Sequence, residues 1–223
     1  MKSHPVSIKV FVEPMFGENS FLVCAQADGD QVGWVIDPSF SPHVNRLIDY
    51  AREHRVQVEK IIVTHGHGDH IAGIDAVQSA FPDAALLIAA EDEPMLRDPE
   101  LNLSAPFGVD VRVMSRVAEH LQPGMELQLG PTKWQVLDTS GHSPGGRSLY
   151  CGEAGVVIVG DALFAGSIGR TDFPGSDHRR LLSNIRTHLL TLPGDTIVHC
   201  GHGPTTTIEN ERKSNPFLAD ETR

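Results

Sequence analysis

The chain has 223 residues, 40% apolar and 21% charged, the balance of a soluble globular protein long enough to bury a core without disulfides. Eighteen Lys and Arg against 29 Asp and Glu give a net charge of −11, which excludes a general nucleic-acid binder and docking on an anionic membrane. Three scattered cysteines, Cys24, Cys151 and Cys200, exclude a disulfide framework and a Cys-rich zinc module, and without a signal-like or membrane-spanning apolar run the expected compartment is the cytoplasm.

In chain order, β-rich runs occupy residues 6–12, 21–26 and 32–37, the first two separated by a turn-like stretch at 14–20. A helix follows, with Ser41 as its expected cap and Pro42 at its first position. Val44, Leu47, Ile48 and Ala51 recur at helical spacing on one face. Residues 60–64 (KIIVT) read as a buried strand. Residues 71–81 read as a helix with Ile71, Ile74, Val77 and Phe81 on one side, and 84–89 as a further strand. The polar, proline-bearing segment 94–107 is either an ordinary surface loop or a mobile, substrate-facing one. Residues 126–129 and 132–138 form a hairpin around Gly130-Pro131, and 148–151 and 156–159 form another strand pair. A helix at 177–190 turns Leu181, Leu182, Ile185 and Leu189 inward, and 196–200 is the last strand. No linker or repeat divides the chain. Paired strands between helices predict one α/β unit, residues 1–223, built on mixed sheets with helices outside.

Four segments repeat one pattern: an apolar strand ends and a glycine-rich turn then displays His or Asp. They are His65-Gly66-His67-Gly68-Asp69-His70, Gly141-His142-Ser143-Pro144, Gly160-Asp161 and Gly201-His202-Gly203-Pro204. Strand ends are where α/β proteins place their sites. Residues two apart in extended chain point the same way, so His65 and His67 grip one ion together, while Asp69 and His70 face a second. One ion then takes His65, His67 and His142, the other takes Asp69, His70 and His202, and Asp161 bridges them. Neutral imidazole and carboxylate suit two divalent ions per chain, zinc foremost, with iron or manganese as alternatives. With a bridging hydroxide the site keeps about one positive charge, which favours an anionic transition state.

The segments HGHGDH, GHSPG, GDALFAGSIGRTDFPG and GHGPTTTIENERKSNPFL together resemble the metallo-β-lactamase superfamily, in the expected order over residues 20–218. Within it the Gly-Arg-Thr-Asp-Phe-Pro stretch and the closing Asn-Pro-Phe resemble the short bacterial type II glyoxalases, the hydroxyacylglutathione hydrolases. The resemblance implies an αββα sandwich, the same seven metal ligands, and hydrolysis of a small-molecule thioester such as S-lactoylglutathione by a metal-bridging hydroxide that Asp69 orients. A thiolate leaves readily, so no general acid is required. Glyoxalase II binds glutathione with a lysine nine residues after the bridging aspartate. Arg170 stands there, either holding a substrate carboxylate or pairing with Asp172 as scaffold. The aromatic pair expected just beyond is Asp172 and Phe173 here, and the helical C-terminal domain of the long glyoxalases is not expected.

A similar Gly-Arg-Thr-Asp-Phe stretch occurs in the persulfide dioxygenases of the same fold, which use one iron and oxygen. That is the alternative, as is hydrolysis of another thioester or a lactone. The remaining residues read more plainly. His4, His43, His54, His120, His178 and His188 are expected to be solvated, and His199 to support the site or pack. Cys200, Trp34, Trp134 and Tyr150 are expected to be packing residues.

Overall fold

The computed structural model describes residues 5–27 and 29–219. The first half runs β1 (Ser7–Val12), β2 (Asn19–Ala27), β3 (Asp30–Ile36), α1 (His43–Glu53), β4 (Gln57–Ile62), α2 (Gly68–Ile71), α3 (Ile74–Ala80), β5 (Ala85–Ile88) and β6 (Val117–His120). Its six strands lie side by side in chain order. β1 to β3 pair antiparallel and β3 to β6 pair parallel. The second half runs β7 (Glu126–Leu129), β8 (Thr132–Asp138), β9 (Arg147–Cys151), β10 (Val156–Gly160), β11 (Leu163–Phe164), β12 (Ser167–Ile168), α4 (His178–Asn184), β13 (Ile197–Cys200), β14 (Thr206–Thr207) and α5 (Ile208–Ser214). Here the sheet order is β14-β13-β10-β9-β8-β7, with β10 and β13 parallel and the other pairs antiparallel, while β11 and β12 form a separate small hairpin.

Alternation along the strands sorts the buried side chains into three cores. In β3, Trp34 and Ile36 point to one face and Val35 to the other; in and after β4, Ile62 opposes Ile61 and Val63. The central core lies between the two sheets and joins Phe21, Trp34, Ile62 and Leu87 to Trp134, Val136, Leu149 and Ile158, with Trp34 and Trp134 5.7 Å apart. A second core packs α1 and α3 on the outer face of the first sheet, through Leu47, Ile48, Ile74 and Val77. The third packs α4 and α5 on the second sheet, through Leu181, Ile185, Val198 and Ile208. Helix, sheet, sheet and helix are therefore stacked as four layers, two mixed sheets flanked by helices.

Local structure corrects three sequence expectations. Ser41 does not cap α1: the helix begins at His43 with Pro42 in the cap position, and the Phe40 carbonyl accepts from the N–H groups of His43 (3.0 Å) and Val44 (3.2 Å). The helix expected over 71–81 is two pieces, interrupted at Ala72 and Gly73. Gly73 donates its N–H to the Pro38 carbonyl (2.8 Å), and a β-carbon there would lie 2.4 Å from the Ser39 carbonyl, so this approach of loop to helix requires glycine. The helix expected over 177–190 starts with an Asp177 cap on Arg180 N–H (3.0 Å) and widens after Asn184 into a π-type turn, Ile185–Leu189, closed by Leu190 N–H on the Ile185 carbonyl. Among the described residues no helix is long and apolar enough to cross a membrane.

Candidate metal centre

Five strands, β3, β4, β8, β10 and β13, end at the same edge of the sandwich, and each delivers chemistry there: Asp37, His65, His142, Asp161 and His202. The 65–70 segment leaves β4 extended at His67, then coils into α2, which carries Asp69 and His70 round to a different direction. The result is two clusters. His65, His67 and His142 place one ligand atom each within 4.8 Å of one another, and so do Asp69, His70 and His202. Asp161 spans them: Oδ2 lies 3.6 Å from His142 Nε2 and 3.4 Å from His202 Nε2, and Oδ1 lies 3.5 Å from His70 Nε2. All seven side chains named from the sequence thus meet in one place.

Hydrogen bonds settle which ring nitrogens face inward. His70 donates its Nδ1–H to Asp37 Oδ2 (3.0 Å), His142 to the Arg170 carbonyl (2.8 Å) and His202 to the Phe16 carbonyl (3.0 Å). In the neutral ring each Nε2 then carries a lone pair. The Nε2 atoms of His70 and His202 sit only 3.3 Å apart, and His142 Nε2 lies 3.0 Å from His67 Nδ1. In the neutral rings the facing lone pairs of His70 and His202 repel at 3.3 Å unless a cation stands between them. His65 Nε2 and Asp161 Oδ1 are buried with no hydrogen-bond partner, atoms that a metal ion would satisfy. The electrostatics agree. Burial disfavours a charged His70, yet Asp69, Asp161 and Asp37 outweigh it and push the ring up to about 10. His202 rises to about 11 because its contacts with Asp161 and Asp69 overcome burial, while burial and the neighbouring His142 push His67 down to about 3. The carboxylates call for positive charge on one side, and on the other burial holds His65 and His67 in the neutral form. This donor set fits two divalent cations.

Several supporting residues carried no motif in the sequence. Asp37 has φ +50°, tolerable for Asp, and accepts from Thr64 N–H (2.7 Å), the Thr64 hydroxyl (2.6 Å) and His70. Asp92 joins two ligand loops, accepting from Gly66 N–H (3.0 Å), the Ser143 hydroxyl (2.7 Å) and Gly145 N–H (2.6 Å). Asn19 ties the start of β2 to the His202 turn through the Cys200 and Gly203 carbonyls (both 2.9 Å). Glu18, fully buried, has its carboxyl pushed well above the usual range by burial and accepts from the Ser20 hydroxyl (3.0 Å). Apart from the Glu18–Ser20 pair, sequence spacing gives no sign of these contacts, because the partners lie 26 or more positions apart.

The clusters open into a cavity of about 370 Å³. Its walls include Phe16, Phe40, Phe107, Phe164 and Phe173. Asn102, Leu103, Ser104 and Phe107 bring the 94–107 segment into the lining, held by Gly68 N–H on the Asn102 carbonyl (2.8 Å) and by Asn102 Nδ2 on the Met95 and Val111 carbonyls (both 2.9 Å). Arg170 lines the cavity, but its Nε and Nη2 donate to the two carboxylate oxygens of Asp172 (2.7 and 2.7 Å) and its face covers Phe173 at 4.2 Å. The scaffold pairing with Asp172 is thus the one present.

The other singled-out residues lie apart. His54 stacks on Tyr50, His120 pairs with Glu93 (2.6 Å), and His178 meets Thr171 (3.1 Å). His43 differs from its solvated expectation: it is half-buried and its Nδ1 has no partner. His188 is half-buried, and His4 lies outside the described residues. His199 packs edge-on to Phe21 at 5.8 Å, with burial pushing it down to about 4, and burial pushes the Cys200 thiol up to about 12.

Comparison with known proteins gives a consistent frame. Residues 14–202 match the family model of the metallo-beta-lactamase superfamily. The chain is 39% identical over 185 residues to the probable metallo-hydrolase YqgX of Bacillus subtilis (82% of this chain, 86% of that protein). It is 33% identical over 216 residues to the hydroxyacylglutathione hydrolase GloC of Haemophilus influenzae (96% and 98%). Among solved structures, the BLEG-1 B3 metallo-beta-lactamase superposes with a TM-score of 0.86 at 33% identity, covering 96% of this chain and 99% of that one. With the fold, the strand-end histidines and this match over most of its length, the chain belongs to the metallo-β-lactamase superfamily of metallo-hydrolases.

Proposed function

We propose that the protein is a binuclear metal-dependent hydrolase of thioesters, acting on hydroxyacyl-glutathione substrates of which S-lactoylglutathione is the simplest. The observation that carries this reading is the pair of ligand clusters joined by Asp161 at the floor of a substrate-sized cavity. One ion would be held by His65, His67 and His142, the other by Asp69, His70 and His202, with Asp161 shared. Bound there, two divalent ions, zinc or else iron or manganese, would polarise the acyl carbonyl and supply a nucleophilic water at neutral pH.

The chain's own residues do the rest. Asp37, the Arg170 carbonyl and the Phe16 carbonyl fix the tautomers of His70, His142 and His202, so that Nε2 of each faces the reaction. Asp69, with Oδ2 3.4 Å from His202 Nε2, would orient the attacking water by accepting a hydrogen bond from it. Phe164 and Phe173 flank the floor and keep bulk water from the carbonyl. The thiol leaves as thiolate, since its pKa near 8.5 asks for no proton donor. A substrate carboxylate reaching Arg170 would compete with Asp172 for it.

Loss of thioester absorbance on mixing with S-lactoylglutathione tests the reading. Hydrolysis is expected in the wild type, and Asp69→Asn is expected to lower kcat by about 100-fold or more. No hydrolysis by the metal-replete protein would refute glutathione thioesters as substrates. The likeness to a B3 metallo-beta-lactamase favours a second reading, opening of a lactam ring at the same floor, and a β-lactam in the same assay decides it.

A further inference from the structure

The cavity walls carry more information than the floor. Phe16, Phe40 and Phe107 form one continuous aromatic wall, with Phe16 stacked on Phe40 at 5.6 Å and edge-on to Phe107 at 5.3 Å. Phe173 stands opposite the first cluster, 5.5 Å from His67 and 6.1 Å from His142, and Phe164 stands 6.1 Å from His202. Phe40 and Phe164 also pack against the outer cores, but folding does not demand the other three rings. Phe16, Phe107 and Phe173 belong to none of the three cores, and Phe107 is 63% exposed. An exposed ring at the mouth of a site, locked to the metal loop through Asn102 and Gly68, is placed for contact with a ligand. The charge pattern points the same way. Arg170 is the one Lys or Arg among the described residues lining the cavity, and Asp172 already occupies its fork. A carrier recognised by its carboxylates finds no free cation on these walls, whereas an apolar group finds three rings.

Resting on the hydrolase reading, we propose that the preferred substrate carries an apolar group of aromatic or branched-alkyl size beside the scissile bond, seated against Phe16, Phe40 and Phe107. The group belongs either to the acyl half or to the thiol half, and paired ligands separate the two. Calorimetric titration of the purified protein compares S-benzylglutathione with S-methylglutathione for the thiol side, and phenylacetate with acetate for the acyl side. In one pair the aromatic member is expected to bind about tenfold tighter or more. Phe107→Ala is expected to bring that ratio toward one, while Phe107→Leu, still apolar, keeps most of it. Phe107 lies on a short exposed turn, so neither variant threatens the fold. Ratios within about twofold in both pairs, or a ratio that Phe107→Ala leaves unchanged, would overturn the proposal. Turnover of mandeloyl- against lactoyl-glutathione separates this claim from the reading beneath it. Cleavage of both, with flat binding ratios, keeps the hydrolase and removes the apolar site. Tight aromatic binding with neither thioester cleaved removes glutathione thioesters as substrates and keeps the site.

Discussion

Asp37 shows how the site's chemistry depends on a residue that touches no reacting atom. Its carboxylate accepts three hydrogen bonds, two from Thr64 and one from His70, and so pins both the ring plane and the tautomer of His70. Asp37→Asn keeps the shape but replaces one accepting oxygen with a donor. Metal affinity is expected to fall about 10–100-fold, read by competition with a chelator, with the fold intact by circular dichroism. Unchanged affinity would mean that His70 is held by packing alone. At this scale the histidines were legible in sequence because their ligand spacing is local: His65, His67, Asp69 and His70 lie within six residues. Asp37, Asp92 and Glu18 were not legible. Each acts on a residue at least 20 positions away or is buried by strands distant in the chain, and a lone Asp before Pro38 reads only as a strand ending. Arg170 shows the opposite limit: its position and Asp172 as one of two candidate partners were legible, but the choice of Asp172 had to be seen.

Among the elements, the β11–β12 hairpin is the most dependent on distant support. It has four paired residues and brings Phe164, Ser167 and Ile168 to the cavity. Glu211 on α5, buried, accepts from Gly166 N–H (2.9 Å), the Thr206 hydroxyl (2.6 Å) and Asn215 Nδ2 (2.7 Å), and Asn215 in turn donates to the Ser167 carbonyl (2.9 Å). The closing Glu-Asn-Glu-Arg-Lys-Ser-Asn-Pro-Phe stretch therefore works as a clamp on one cavity wall. Glu211→Gln leaves at least one of these donors unsatisfied and is expected to destabilise by about 1–3 kcal/mol in urea unfolding, with faster hydrogen exchange at Gly166. Unaltered exchange at Gly166 would show that the hairpin stands by itself. The longer strands and α1 were legible from periodicity. β11, β12 and β14 were not, because two residues have no period, and the break at Gly73 came from a contact with Pro38 and Ser39 across the chain.

For the whole molecule, the four-layer stack places the site at one edge and leaves the interior between the sheets apolar apart from few groups. His199 is one of them, packed against Phe21 with its Nδ1 unpartnered. Burial pushes it from its ordinary 6.5 down to about 4. Between those values the unfolded chain binds a proton that the folded chain refuses, so stability falls as pH is lowered through that window. His199→Leu is expected to lose less stability between pH 6.5 and 4 than the wild type, measured by urea unfolding at each pH. Equal losses would show that His199 does not contribute to acid sensitivity. That the fold is an α/β stack of mixed sheets was legible from paired strands between helices. The assignment of each strand face to one of three cores was not, since Trp34 and Val35 are both simply buried residues in a continuous apolar run.

The account turns on two ions sharing Asp161, and the direct measurement is metal content together with thioester hydrolysis on the same sample, for wild type and Asp161→Ala. The wild type is expected to hold about two metal ions per chain and to cleave the thioester, and Asp161→Ala to lose metal and activity together. One iron per chain with oxygen consumed and no hydrolysis, or an Asp161→Ala protein that keeps both metal and turnover, would contradict it.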